Sequence, residues 1–296
     1  MPASKMPHYG GQALIEGVLM RGKHYLVASF RKPNGEIVTE EEKLTGIYQS
    51  GLAKLPFLRG LVILWDSLSL GMKYITISAN YQAESEDEKI EGGSLAITML
   101  ISVGLAIGLF FVLPTFLAEF IARIMSASSF GANIVEGLMR LAILIGYIWV
   151  IGRTPDIARV FAYHGSEHKT INAFEDNAVL NVDTVMKYPL EHPRCGTAFL
   201  LTLVVLSVLV FSLLGPMTLW LKILSRVALV PLLAMLSYEV IRWMGDHLEN
   251  PLVRLLVAPN LALQKLTTRQ PDPKMVEVAL TSFKQLLKLE ENETGK

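Results

Sequence analysis

Four apolar stretches set the terms on which this chain folds. Residues 94–118 (SLAITMLISVGLAIGLFFVLPTFLA), 134–151 (IVEGLMRLAILIGYIWVI), 197–214 (TAFLLTLVVLSVLVFSLL) and 219–243 (LWLKILSRVALVPLLAMLSYEVIRW) each approach the ~20 residues a helix needs to cross a bilayer. With 51% hydrophobic and 18% charged residues among 296, the composition is too apolar for an ordinary soluble globule and too polar for a chain buried in lipid throughout. A mainly α membrane protein with four transmembrane helices is expected. Lys and Arg number ten in 1–93, one in 119–133, five in 152–196, none in 215–218 and seven in 244–296. By the positive-inside rule, both termini and the middle loop then face the cytoplasm. The start of the chain, MPASKMPHYGG, has no basic segment followed by an apolar one, so no cleavable secretory signal is expected.

A fifth apolar segment, 55–79 (LPFLRGLVILWDSLSLGMKYITISA), is interrupted by Arg59, Asp66 and Lys73. If it crossed, the seven basic residues of 1–54 would lie opposite those beside the first span, so it reads as an in-plane or re-entrant helix opened by Pro56. Upstream, HYLVASFR and EIVTE flank KPNG, whose Asn34-Gly35 is a strong hairpin signal, and QALIEGVLM reads as a third strand of a small antiparallel β unit. The organisation is then a β-rich unit (1–54), an interfacial helix with an acidic linker (55–93), transmembrane helices 1–2 (94–151), a cytoplasmic loop (152–196), transmembrane helices 3–4 (197–243) and C-terminal helices (244–296), split by RQPDP. Within the second span Glu136 precedes Arg140 by four residues, the order in which a helix lets such a pair neutralise itself. Zero net charge, from 27 basic and 27 acidic residues, points to no nucleic-acid partner.

The chemistry concentrates in the middle loop. Thr154-Pro155 is a good helix start and Asp176-Asn177 a natural stop, so 155–175 reads as one helix. At 100° per residue His164 and His168 share a face one turn apart, which lets two imidazoles converge on one ion. His164-Gly-Ser-Glu167-His168 matches H-x-x-E-H, the inverted zincin pattern, in which a carboxylate takes the proton of zinc-activated water. Glu167 is then the general base, and a divalent transition metal, zinc by ligand type, is the expected cofactor. A third ligand is required, and Glu239, His192, Cys195 and Glu175 are the candidates. Glu239 is preferred, because a carboxylate in a span is costly unless paired or ligating, and it lies 71 residues after His168 at the cytoplasmic end of the last span. Arg194, between His192 and Cys195 in HPRCGT, is placed to hold an oxyanion or pair with Glu239. Glu16 reaches the site from the β unit or stabilises its turn. Cys195 is the only cysteine, so no intramolecular disulfide forms.

HYGGQALIEGVLMRG, LRGLVILWDSLSLGMKYITISAN, YHGSEHKTINAFE, HPRCGTAFL, SYEVIRW and PNLALQKLTTRQPD together resemble the YqhQ-like bacterial membrane proteins, a family of unknown function described as predicted metal-dependent enzymes. The resemblance covers nearly the whole chain. It implies an inner-membrane protein with a metal site drawn from these histidine and cysteine motifs, and no established reaction. The residues themselves point to a zinc hydrolase acting on a peptide or lipid at the cytoplasmic membrane face. The rival is a non-catalytic scaffold or biogenesis factor docking a translocase or ribosome, with a structural metal or none. Membrane lipids and other membrane proteins, or further copies of the chain, are the expected partners. An ion path through Glu136, Arg140 and Glu239 is disfavoured, because the spans carry few buried polar residues.

Overall fold

A computed structural model describes residues 9–45, 55–83, 92–126 and 128–294. Most of the acidic linker (84–91) and the end of the β-rich unit (46–54) lie outside them. Four strands, β1 (Gly10–Leu14), β2 (Gly17–Arg21), β3 (Tyr25–Arg31) and β4 (Ile37–Lys43), form an antiparallel sheet in the order β1-β2-β3-β4. The Asn34-Gly35 turn falls where expected, with Gly35 at φ 89° and its N–H donating to the Lys32 carbonyl at 2.9 Å. QALIEGVLM, read as one strand, is instead a hairpin that reverses at Ile15-Glu16, with Leu14 opposite Gly17. Glu16 has φ 52°, a conformation most non-glycine residues avoid. Its carboxylate meets Arg159 at 2.5 and 2.6 Å and accepts from the Tyr163 hydroxyl at 3.2 Å. A tertiary ion pair thus holds a turn that carries no local turn residue.

The sheet is covered on both faces. Leu14, Leu19, Leu26, Ala28 and Phe30 pack with Leu70, Tyr74 and Ile77 of α1 (Leu58–Gln82). On the other face Val18, Met20 and Val27 join Tyr163 and Ile171 of α5 (Pro155–Glu175) and Val278, Phe283 and Leu286 of α11 (Pro273–Thr294). The two ends of the described chain therefore share one core. Helix α1 is long and apolar enough to cross a membrane. Its C-terminal half is nevertheless bound to the sheet, with Lys73 and Tyr74 on Glu42 and Tyr81 on Glu40. Its N-terminal half lies against α9 (Val230–Asp246), where Gly60 abuts Tyr238. Pro56 precedes α1, which begins after Phe57.

The remaining helices are α2 (Gly92–Ile107), α3 (Leu113–Ile124), α4 (Ser129–Ile151), the short α6 (Val182–Val185), α7 (Thr197–Ser212), α8 (Leu219–Ala228), α9 (Val230–Asp246) and α10 (Pro251–Thr267). Besides α1, Ala96–Ile124 and Phe130–Ile151 are long and apolar enough to cross a membrane, and α8 with α9 would make a fourth if that bent pair counts as one span. Leu100, Leu105, Phe116, Phe120 and Ile124 are among the large apolar side chains these helices expose. Two of the four stretches depart from straight spans. The third forms a helix of only 16 residues, roughly 24 Å at 1.5 Å per residue and short of the ~30 Å hydrocarbon core. The fourth bends by 46° between α8 and α9, beside Pro231, which cannot donate to a helical carbonyl.

Proline also explains the break between α2 and α3. Gly108–Val112 is a π-helical turn, and Pro114 has no N–H to offer the Phe110 carbonyl four residues earlier. That carbonyl accepts instead from Arg140 Nε at 2.9 Å. Arg140 also donates to Glu136 (2.8 Å) and Ser207 (2.8 Å), while Arg226 binds Glu136 (3.0 Å) and Asn133 (2.8 Å). The expected Glu136–Arg140 pair is thus the centre of a buried network that ties α3, α4, α7 and α8 together. Removing one partner of a buried ion pair leaves charge unpaired, so Glu136→Gln should lower stability by about 3–5 kcal/mol. Thermal unfolding in detergent checks this, and a change at an exposed position such as Lys284→Ala should lie within about 0.5 kcal/mol of the unaltered protein.

Candidate metal centre

Helix α5 spans the expected 155–175, with Pro155 in its first turn, and Asn177 at φ 56° just beyond its end. Residues 165–171 are all buried, unusually for a stretch carrying a glutamate, a histidine and a lysine in succession. The sheet and α11 cover one side, and the end of α10 covers another. At Gly165 the Arg269 carbonyl comes so close that a Cβ would collide with it. The remaining side is wrapped by residues 186–195, which carry no regular structure and are held by their own backbone carbonyls. Lys169 Nζ donates to the carbonyls of Met186 (3.0 Å) and Tyr188 (2.5 Å), and Asn172 Nδ2 to those of Pro189 and Glu191 (both 3.1 Å). Farther along, the His192 backbone and the Gln264 side chain exchange two hydrogen bonds of 2.9 Å. This strap delivers Cys195 to the histidines.

His164 and His168 lie face to edge with ring centroids 4.3 Å apart. Nδ1 of His164 lies 2.8 Å from the Thr267 carbonyl and Nδ1 of His168 lies 2.5 Å from the Leu190 carbonyl. A carbonyl only accepts, so both Nδ1 atoms carry hydrogen, and in the neutral rings both Nε2 atoms present lone pairs. His164 Nε2 lies 3.2 Å from Cys195 Sγ. The ligating atoms of His164, His168 and Cys195 all fall within 4.8 Å of one another. The sulfur also receives the Thr197 N–H at 3.4 Å, at the start of α7, and lies 3.2 Å from the Thr197 hydroxyl. Imidazoles fixed through Nδ1 and a sulfur met by a helix N-terminus are the outer partners that metal ligands require. The donor chemistry fits zinc, with three protein ligands and one coordination position left for water or substrate.

Glu167 sits beside the cluster, with Oε2 3.9 Å from His164 Nε2. It is buried and has no hydrogen-bond partner among the described residues. Burial pushes its carboxyl up to about 7, with His164 pulling the other way. A base so poised suits proton transfer near neutral pH. Gly11 of β1 closes over it, and a Cβ there would stand 2.8 Å from Glu167 Cγ and 2.6 Å from the Leu19 carbonyl. A cleft of about 460 Å³ opens onto the centre, lined by His164, Glu167, His168, Cys195, β1 and the Leu64–Leu68 face of α1.

The other candidates are placed differently. Glu239, the preferred third ligand, is bound by Arg59 Nε at 2.7 Å and the Phe57 N–H at 2.9 Å, and does not join the cluster. Its position in an apolar helix is explained by a pairing between α1 and α9. His192 lines the cleft, its ring 5.8 Å from that of His168, but its Nε2 faces Glu175 at 3.3 Å. Burial lowers its tendency to take a proton, opposed by Glu175. Arg194 pairs with Glu175, so neither Arg194 with Glu239 nor Glu175 with the two histidines forms the expected contact. Glu16 holds its turn through Arg159. The carbonyls of Thr267 and Leu190 were missed, since a backbone acceptor leaves no trace in side-chain identity, and Gly11 was missed because its contact with Glu167 is a tertiary one.

The geometry separates the third-ligand candidates experimentally. If the centre holds zinc, Cys195→Ala should reduce zinc affinity by more than the ~10–100-fold expected for loss of an orienting partner. Glu239→Gln should leave zinc content unchanged while weakening the contact of α1 with α9, as read by elemental analysis beside thermal unfolding.

Comparison with known proteins supports the resemblance. The family described as protein of unknown function DUF1385 matches residues 55–289. "Uncharacterized protein YqhQ" of Bacillus subtilis (strain 168) is 37% identical over 301 residues, covering 96% of this chain and 93% of that protein. No solved structure matches. The chain belongs to the DUF1385 family of proteins of unknown function.

Proposed function

We propose that this protein is a zinc-dependent hydrolase of the bacterial inner membrane, working at the cytoplasmic face on a peptide or lipid. The observation that carries the reading is a buried carboxylate with no hydrogen-bond partner among the described residues, 3.9 Å from one of two histidines whose Nε2 atoms converge with a cysteine sulfur. His164, His168 and Cys195 would hold the ion, and Cys195 takes the place expected of Glu239. A zinc ion there would supply Lewis acidity for the scissile carbonyl and for a water molecule. Glu167 accepts the proton as water adds to the carbonyl carbon and returns it to the departing nitrogen or oxygen. The burial of Glu167 keeps its basicity high enough for that exchange, and the lining of the cleft limits access of bulk water. Exposed apolar side chains on α2, α3 and α8 support lipid contact. The distribution of Lys and Arg supports cytoplasmic termini.

A structural staple is the second reading, favoured by one observation: the three ligands join α5 to the strap ahead of α7. The two readings part at Glu167. Glu167→Gln should retain zinc and fold while turnover of a quenched peptide library or of a phospholipid ester falls about 10²–10⁴-fold. A site that only staples would give no turnover in the unaltered protein and would tolerate the change.

A further inference from the structure

Hydrogen bonding fixes which amides of β1 face away from the sheet. Gly22 N–H donates to the Tyr25 carbonyl at 2.9 Å and Arg31 N–H to the Glu16 carbonyl at 2.8 Å. Even-numbered residues from 16 to 22 therefore turn their backbone groups toward β3. In an antiparallel ladder the odd ones then face the opposite neighbour, so Gly17, Leu19 and Arg21 bond β1 through Leu14, Gln12 and Gly10. Gly11 and Ala13 are left pointing their N–H and C=O outward. Neither has a hydrogen-bond partner among the described residues. Both line the cleft that opens onto His164, Glu167, His168 and Cys195.

The two edges of the sheet are also built differently. On β4 the consecutive residues Glu40, Glu41, Glu42 and Lys43 give the edge the charge that deters strand pairing. On β1 the corresponding residues are Gly10, Gly11, Gln12 and Ala13, with no charge, no proline and almost no side-chain bulk. Outward donors and acceptors recurring every ~6.8 Å match an extended polypeptide, which offers its own pair at every second residue. A lipid ester has no N–H to give and would leave the Gly11 and Ala13 carbonyls unmet.

We propose that the outer edge of β1 takes an extended polypeptide as a fifth strand, laying it across the His164, His168, Cys195 and Glu167 centre. That the bound polypeptide is the substrate rests on the zinc-hydrolase reading; that it binds here does not. Cleavage adds water across the peptide bond. Oxygen bonds to the carbonyl carbon, the carbon–nitrogen bond breaks, and the proton taken by Glu167 passes to the nitrogen, leaving a carboxylic acid and an amine.

The test is selection of a displayed random decapeptide library on the full-length, zinc-free protein in detergent, followed by fluorescence anisotropy of enriched peptides. Backbone methylation of alternate peptide nitrogens should weaken binding about tenfold or more in one register and leave the other register unaffected. Ala13→Pro should weaken binding similarly, since proline on an edge strand removes only an outward N–H. Circular dichroism and retained zinc uptake verify that this variant folds, and the methylation series decides the matter if it does not. No enrichment, equal loss in both registers, or undiminished binding by folded Ala13→Pro would overturn the proposal. So would loss of a chain dimer, rather than of peptide binding, on that substitution. Zinc uptake and ester hydrolysis without peptide binding would overturn it while leaving the hydrolase reading intact. Peptide binding by a protein that takes up no zinc would uphold the edge and overturn that reading.

Discussion

The site depends on one clamp: the backbone carbonyls of residues 186–191 held along α5 by the side chains of Lys169, Asn172 and His168. Residues 186–191 are half-buried or exposed and carry no regular structure, so the carbonyls they turn toward α5 have no ladder partner and take side-chain donors instead. Here the donors come from the same helix that carries His164 and Glu167. One set of interactions therefore closes the strap and sets Cys195 at hydrogen-bond distance from His164. The lysine and asparagine that look like ordinary surface residues of an amphipathic helix are structural members of the centre.

The second constraint is the sharing of one core by distant parts of the chain. Strands β1–β3, the motif helix α5 and the terminal α11 pack together, so a sheet edge arises beside the histidines although some 150 positions separate them in sequence. Glycine is needed where β1 crosses Glu167, since any larger residue would push the strand off the carboxylate. Gly11 packs directly on the Glu167 side chain, and burial is what raises the proton affinity of that carboxylate.

What could be read from sequence follows the range of the forces involved. Helix 155–175 and the pairing of its histidines were legible because helical periodicity is local, and Asn34-Gly35 was legible because its turn chemistry is. The hairpin at Ile15-Glu16 was not, since its ion pair comes from Arg159 on another element. Depth in the membrane drew attention to Glu239, yet Arg59 of the segment read as in-plane supplies its partner. Position along the membrane normal cannot identify which of several cations a carboxylate meets. Cys195 was among the candidates, but a thiol at a helix start is usually inert, and only the folded strap shows its sulfur facing two prepared imidazoles. Pro114 and Pro231 were visible as residues, whereas the donor that Arg140 supplies to the Phe110 carbonyl was not.

The central claim is that two imidazole nitrogens and one thiolate share an ion. X-ray absorption at the zinc edge on purified protein tests it most directly. The account predicts one zinc per chain with a single sulfur at about 2.3 Å and two imidazole nitrogens at about 2.0–2.1 Å, the sulfur signal vanishing in Cys195→Ser. Absence of stoichiometric metal, or a first shell of nitrogen and oxygen alone in the unaltered protein, would contradict it.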